Sequence, residues 1–246
     1  MSPRSEPSPE PGTAVPLDGA PAAEVRSMFA RIAPTYDRLN HMLSVGRDRA
    51  WRRLVAASLP HDAGRVLDLC AGTGDLALEI ARARRTAHVV AADFCHEMLA
   101  GGRAKGLQDV ASATVGDALQ LPFAAATFDA VTVAFGVRNF ERLDVGLVEM
   151  HRVLKAGGTL AVLEFFRGES RWRELPFRLY FRHVLPRVGR WVSGDGEAYA
   201  YLPRSVRSFV TRREFGALLA RAGFDAPRVR EVSGGIATLF LARRAG

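Results

Sequence analysis

Lysine is almost missing from this sequence. Of the 34 basic residues in a chain of 246, only Lys105 and Lys155 are lysines, and isoleucine occurs three times. Arginine standing in for lysine is the mark of codon composition. The formal charge of +8 and pI near 10.4 are therefore weak pointers to nucleic acid. Cysteine is equally scarce: Cys70 and Cys95 cannot build a disulfide framework or a cysteine zinc site. No apolar run approaches the ~20 residues that span a bilayer. With 48% hydrophobic and 24% charged residues, the collagenous, disulfide-stapled, transmembrane and wholly disordered classes are excluded. What remains is one α/β domain with an embellishment.

The basic excess is localised. Between Arg167 and Arg213 eleven arginines face only Glu169, Glu174, Asp195 and Glu197, a net +7. Residues 1–23 hold six of the 13 prolines and read as a disordered tail. The tail has no apolar h-region, and Glu6, Glu10 and Asp18 interrupt any presequence, so the expected location is the cytoplasm.

From Glu24 the pattern is helical, with Val25, Met28, Phe29 and Ile32 at helical spacing up to Pro34. A second helix is predicted around Asp48–Ser58, with Trp51, Leu54 and Val55 on its apolar face. A regular alternation follows. Strands are predicted at Arg65–Leu69, His88–Ala92, Ser112–Val115, Phe128–Ala134 and Gly158–Phe165, with helices at Asp75–Ala83, Cys95–Arg103 and Asp144–Val153. Alternation of this kind argues a parallel sheet with helices on both faces. It breaks over 166–203, a stretch rich in arginine and aromatics. It resumes with a helix capped by Thr211 and Glu214, a capping box. Strands at Arg228–Val232 and Ile236–Leu241 then meet at Ser233-Gly234-Gly235, a hairpin signal. The fold class is α/β: a Rossmann-like, mostly parallel sheet closed by an antiparallel hairpin, with N-terminal helices (24–60) and a helical lid insertion (166–203).

The sharpest motif is Asp68-Leu69-Cys70-Ala71-Gly72-Thr73-Gly74-Asp75, a buried strand ending in a glycine turn that opens a helix. The glycines let a ligand approach the backbone, and the helix start offers free N–H groups. Gly72-x-Gly74-x-x-Ala77 formally satisfies the dinucleotide fingerprint, whose purpose is to admit a pyrophosphate. Acids at the ends of the first three strands favour another ligand. S-adenosylmethionine has an ammonium, a ribose and an adenine, which Asp68, Asp93 and Asp117 can serve in turn. The terminal hairpin also points to the methyltransferase sheet.

Several segments together carry a resemblance. They are Phe29-x-x-Ile32-Ala33-x-x-Tyr36-Asp37-x-x-Asn40 with Ser44-x-Gly46 and Trp51-Arg52; Ala71-Gly72-Thr73-Gly74-Asp75; Phe135-Gly136-Val137-Arg138-Asn139 with Arg152-Val153-Leu154-Lys155 and Leu163-Glu164-Phe165; and His183-Val184-Leu185-Pro186 with Tyr199-x-Tyr201-Leu202. Over about Val25–Leu241 the chain resembles the ubiquinone/menaquinone biosynthesis C-methyltransferases. That family methylates a ring carbon of a polyprenylated benzoquinol or naphthoquinol. The resemblance implies S-adenosylmethionine as cofactor, with contacts on Thr73, Asp93, Asp117 and Ala118. Departures from the family pattern are Ala134, Ala156, Val210 and the Asp195–Glu197 stretch.

The implied reaction needs a phenolate beside the attacking ring carbon. Arg138, just after the fourth strand, is placed to hold that oxygen, with Asn139 as a second donor. Arginine is implausible as a free base. A protein base, where one exists, falls on His183, with Tyr199 and Tyr201 as alternatives. An ion pair of Arg138 with Glu141 or Glu164 is the competing structural role. Tyr36 and Asn40 are expected to face the quinol pocket. Phe177, Tyr180, Phe181, Val184 and Val188 recur at helical spacing beside Arg178 and Arg182, the pattern of a helix that lies on an anionic membrane or closes the site as a lid. Peripheral contact with the inner face of the plasma membrane is the corresponding expectation. A homodimer or a place in a quinone-synthesis complex stays open. An RNA or other small-molecule methyltransferase is the alternative, favoured by the +8 charge, but Phe135-Gly136-Val137-Arg138-Asn139 stands where base-amino methyltransferases carry Asn/Asp-Pro-Pro-aromatic, so no nucleic acid is expected, and no metal.

Overall fold

The structure, a computed structural model, describes residues 20–168 and 196–246, with side chains from residue 201 onward in the second stretch. His183, the amphipathic run Phe177–Val188, the side chain of Tyr199 and most of the proline-rich tail lie outside those residues.

Three helices precede the sheet: α1 (Ala22–Ile32), α2 (Tyr36–Leu43) and α3 (Arg47–Ser58). The alternation then runs β1 (Arg65–Leu69), α4 (Asp75–Ala83), β2 (His88–Asp93), α5 (His96–Arg103), β3 (Ala111–Val115), β4 (Phe128–Ala134), α6 (Leu143–Val153) and β5 (Leu154–Glu164). After α7 (Gly196–Ser208) and α8 (Arg212–Arg221), the hairpin β6 (Arg228–Val232) and β7 (Ala237–Arg243) closes the fold. Among the described residues the strands form one seven-stranded sheet in the order β3-β2-β1-β4-β5-β7-β6. The pairs among β1–β5 are parallel, and β7 runs antiparallel to both β5 and β6.

Side chains alternate across this sheet because the strand period is two. Leu67, Leu69, Val131, Val133, Leu160 and Val162 enter one buried cluster, with Leu147 and Met150 of α6 and Phe215 and Leu219 of α8. Val66, Ala130, Ala161 and Leu163 enter the other, with Trp51 and Val55 of α3 and Leu76 and Ile80 of α4. A sheet covered on both faces must be apolar on both, which is why these strands read as near-continuous apolar runs. The Thr211–Glu214 capping box forms in both directions: Glu214 N–H donates to Thr211 Oγ1 at 3.2 Å and Thr211 N–H to Glu214 Oε2 at 2.6 Å.

The structure departs from the sequence expectations in three places. A helix, α2, follows Pro34 where none was expected. Its face is Tyr36, Leu39, Asn40 and Leu43, at helical spacing, but Leu39 alone is fully buried and the two polar members break the apolar stripe. The helix α7 runs through Pro203 to Ser208, past the boundary at 203 expected for the helical insertion. β5 begins at Leu154 rather than Gly158, because the pairing with β4 shifts register between Phe128↔Leu154 and Ala130↔Thr159 around the Gly157-Gly158 turn.

Strand order reverses at β1, which lies between β2 and β4. In open sheets of this kind ligands bind outside the carboxyl ends of the strands at that point. The glycine turn after β1 and Phe135-Gly136 after β4 meet there. A Cβ on Gly136 would lie 2.4 Å from Cys70 Cβ, so the two turns touch.

Candidate active site

The turn after β1 carries Cys70, Gly72 and Gly74 at φ of 55°, 56° and 79°. A side chain at Gly74 would be strained by the φ of 79° and would have to displace the Leu107 methyls, which lie 2.7 Å from where its Cβ would stand. β2 holds the turn in place. Asp93 Oδ2 accepts from Gly72 N–H at 2.8 Å and Oδ1 from Cys95 N–H at 2.9 Å. Burial pushes the Asp93 carboxyl up, and the amides of Cys95, Gly72 and Phe94 pull it back. Asp117, just past β3, is exposed and accepts from Leu119 N–H at 2.8 Å.

Asp68 is 1% exposed beneath this turn. Its Oδ1 accepts from Thr132 Oγ1 at 2.9 Å, and its Oδ2 has no hydrogen bond of good geometry among the described residues. Burial raises the carboxyl to about 7, against the Thr132 hydroxyl and the Ala77 amide, which lower it.

Two cavities adjoin at this edge. The smaller, of about 60 Å³, is lined by Gly72, Asp93, Asp117, Ala118, Ala134 and Asn139, among others. Among the described residues, its charged lining residues are Asp93, Asp117 and Glu141, with no lysine, arginine or histidine. Such a wall repels a pyrophosphate and favours an ammonium, a sulfonium and ribose hydroxyls. These carboxylates suit S-adenosylmethionine better than a dinucleotide.

The larger cavity, of about 600 Å³, is lined by α1, α2 and α3, by Phe135, Arg138 and Phe165, and by Tyr201, Ser233 and Ile236. Phe29, Tyr36 and Phe135 line both cavities. Phe135 stacks on Phe165 at 4.6 Å between ring centroids, and Trp51 leans on Phe135 at 5.8 Å. Trp51 Nε1 donates to Ser233 Oγ at 2.9 Å, tying α3 to the hairpin turn.

Arg138 lines the larger cavity and pairs with Glu164, which is 0% exposed, at 3.0 Å. The same Nη1 also donates to the Phe135 carbonyl oxygen. Arg138 Nε is buried without a hydrogen-bond partner among the described residues. Burial pushes the Glu164 carboxyl up while Arg138 pulls it down. The competing role foreseen for Arg138 is thus realised with Glu164. Tyr201 Oη donates to Asn139 Oδ1 at 2.9 Å, which leaves the Asn139 amide nitrogen as its donor. Burial raises both the Tyr36 and Tyr201 hydroxyls above the usual tyrosine range.

A model of the ubiE/COQ5 methyltransferase family matches residues 18–244. The chain belongs to this family. It is 46% identical over 220 residues to the demethylmenaquinone methyltransferase of Deinococcus radiodurans, covering 88% of this chain and 91% of that one. It is 45% identical over 226 residues to a ubiquinone/menaquinone biosynthesis C-methyltransferase of Syntrophotalea carbinolica, covering 91% and 95%. Among solved structures, the [4+2]-cyclase SpnF superposes with a TM-score of 0.70 at 20% identity, covering 93% of this chain and 98% of that one. Human N-acetylserotonin methyltransferase in complex with S-adenosylmethionine superposes with a TM-score of 0.66 at 19% identity, covering 92% and 61%. These two likenesses show the fold; that one of them is a cyclase shows that the fold does not dictate the chemistry. The chain is an S-adenosylmethionine-dependent methyltransferase of the class I fold.

Within this family member the structure gathers Gly72, Asp93, Asp117, Ala118 and Asn139 on the smaller cavity, and Tyr36, Asn40, Arg138 and Tyr201 on the larger. Asp68, Thr73 and Gly74 stand off both walls. The Thr73 hydroxyl donates to Asp37 Oδ1 at 2.5 Å and accepts from Lys105 Nζ at 2.8 Å, instead of facing the cofactor cavity. Sequence reasoning did not assign Trp51, Phe135 or Phe165 to the site, although all three stand in the family signatures. Lys105 carried no local signal except its rarity.

Proposed function

We propose that this chain methylates a ring carbon of a polyprenylated quinol, converting demethylmenaquinol to menaquinol or acting on the corresponding benzoquinol. One observation carries this reading. A large cavity, mostly apolar and aromatic in its lining, adjoins the carboxylate-lined cofactor cavity through Phe29, Tyr36 and Phe135, and a buried arginine stands on its wall. The naming of the relatives agrees with it.

S-adenosylmethionine supplies an electrophilic methyl group whose sulfur leaves with the C–S electron pair. The chain's own residues must make the ring carbon nucleophilic and aim it. A quinol hydroxyl beside that carbon gives its proton to solvent, and Arg138 and the Asn139 amide stabilise the oxyanion; once the new C–C bond has formed, the hydrogen on that ring carbon leaves to solvent as a proton and the ring regains its aromaticity. Arg138 can do this only in part as a free charge, because Glu164 already neutralises it; its Nη1 is taken up by Glu164 and the Phe135 carbonyl, and Nη2, which makes no hydrogen bond among the described residues, is the donor left over. Tyr36 and Tyr201 stay protonated at neutral pH, since burial raises both, so they act as hydrogen-bond donors and not as bases. The apolar walls exclude water and fix the ring, which converts a bimolecular encounter into an aligned one.

Peripheral membrane contact from the cytoplasmic side belongs to the same reading. Met42, Val45 and Ile236 are exposed large apolar side chains at or beside the cavity wall, and Val45 is 76% exposed. Arg38, Arg47 and Arg49 are exposed beside them, the composition that suits an anionic lipid surface. Among the described residues no helix is long and apolar enough to cross a membrane.

The test is transfer of labelled methyl from S-adenosylmethionine to reduced demethylmenaquinone, a reduced demethyl benzoquinol and total RNA in parallel. Label in one quinol and not in RNA supports the reading and names the ring. Label in neither quinol, from protein that binds the cofactor, overturns it.

A further inference from the structure

A cluster of charged side chains under α2 takes no part in the chemistry above. Lys105 Nζ lies 2.7 Å from Asp37 Oδ2, 2.5 Å from Asp75 Oδ1 and 2.8 Å from Thr73 Oγ1. Asp37 belongs to α2, Thr73 to the glycine turn and Asp75 to the first turn of α4. Asp75 Oδ2 also meets Arg52 at 3.1 Å, and Arg52 holds Asp48 at 2.6 Å, which extends the cluster into α3.

We propose that Lys105 is a positioning residue for methyl transfer. By drawing Asp37, Thr73 and Asp75 onto one ammonium, it seats α2, and with it Tyr36, against the cofactor turn. The inference rests on the reading that the smaller cavity holds the methyl donor.

Three observations support it. First, on the side that faces the glycine turn α2 has little else to hold it; its other ties run to α1 and α3, where Tyr36 packs edge-on against Phe29 and His41 Nδ1 lies 3.1 Å from Asp48 Oδ1. It is eight residues long, has no side-chain cap and buries only Leu39 completely. A helix that short is not stable by propensity alone, and its other inward side chains face a cavity instead of a core. Second, the seat matters. Tyr36 is the neighbour of Asp37 and lines both cavities. Its ring stands 3.7 Å from where a Cβ on Gly72 would lie, so a small movement of α2 changes the width of the cofactor cavity and the wall of the acceptor cavity together. Third, the residue type fits the task. An ammonium is a point charge with three donors and can meet three oxygens at once, whereas a guanidinium presents a planar fork. In a chain whose 34 basic residues include two lysines, one of the two stands here. The other, Lys155, pairs with Asp129 at 2.6 Å at the amino-terminal end of β4, away from the carboxyl ends of the strands where the cavities lie, and serves as an internal control.

The experiment compares Lys105→Met, Asp37→Asn, the double variant and Lys155→Met. S-adenosylmethionine affinity is read by calorimetry, and trypsin cleavage after Arg38, within α2, by mass spectrometry. Turnover with quinol is a third readout. Lys105→Met and Asp37→Asn are each expected to weaken cofactor binding and speed cleavage after Arg38 by about tenfold. The double variant is expected to be no worse than the more affected single one, because both break one clasp. Lys155→Met stays within about twofold of wild type on all three readouts. Wild-type affinity and cleavage in Lys105→Met, or losses that multiply in the double variant, overturn the proposal, as does an equal effect in Lys155→Met. Should Lys105→Met fail to fold, Asp37→Asn alone decides in the same way. Neither affinity nor cleavage involves the acceptor, so failure of the quinol assignment and failure of the clasp give different results.

Discussion

The two cavities are built from different materials. The smaller is walled mainly by the ends of strands and the turns that leave them: the glycine turn after β1, Asp93 at the end of β2, Asp117 past β3, and Phe135-Gly136 after β4. Its polar groups are held by backbone amides, as Asp93 is by Gly72 and Cys95. The larger is walled mainly by helices and one hairpin turn, and its polar groups are held by other side chains: Arg138 by Glu164, Tyr201 by Asn139, and Trp51 by Ser233. A sheet edge offers a fixed array of groups, suited to a cofactor that is the same in every turnover. Helices packed over that edge can change their facing residues without disturbing the sheet, which suits the acceptor side.

The sharpest way to separate the two is to cut the acceptor side at Arg138. Arg138→Met is expected to lower quinol turnover by about 10²–10³ while cofactor affinity is kept, because one oxyanion donor is lost. It also strands the buried Glu164, at about 3–5 kcal/mol of stability. Adding Glu164→Gln should restore part of the melting temperature and none of the turnover. Recovery of turnover in that double variant would show that Arg138 matters only as a counter-ion. Cutting the cofactor side gives the reverse pattern. Asp93→Asn weakens S-adenosylmethionine binding by about 10–100-fold in calorimetry, the scale of one hydrogen bond to a charged group, with the acceptor's KM little changed.

Between them lies the pH test of Asp68. Its folded carboxyl is raised to about 7 from the ordinary aspartate value of 3.8, so between these values the native state holds a proton that the unfolded state has released. Stability is therefore highest at low pH within this window and falls as pH rises towards the folded value, levelling above it. Melting temperature is expected to decline from about pH 5 to about pH 8, and Asp68→Asn to flatten that decline. Bound S-adenosylmethionine flattens it too where its ammonium meets Asp68; an unchanged slope with cofactor removes Asp68 from the ammonium role. The smallest effect is expected far from either cavity. Thr211→Ala loses the capping box of α8, at about 1 kcal/mol in denaturant unfolding, with kinetics unchanged.

Much of the cofactor side was legible in the chain. A buried run, a glycine turn and a helix start are neighbours in sequence, and Asp93 and Asp117 follow from counting strands. The capping box and the closing hairpin are local in the same way. The acceptor side was less legible. α2 was missed because Tyr36 and Asn40 occupy positions that a core-facing helix fills with aliphatic residues. The contacts of the Thr73 hydroxyl with Asp37 and Lys105, residues 36 and 32 positions away, follow from no local pattern. The Arg138–Glu164 pair stood only as one option, because several acids could have reached that arginine.

The sequence alone determined which segments become strands, where the chain turns at a glycine, and which strand ends carry an acid. Those choices depend on side-chain periodicity and backbone sterics within a few residues. The tertiary structure decided which side chains meet: Lys105 with Asp37, 68 residues apart; Tyr201 with Asn139, 62 apart; Trp51 with Ser233, 182 apart. The strength of an ion pair or hydrogen bond depends on distance in space, and packing of the helices over the sheet sets those distances.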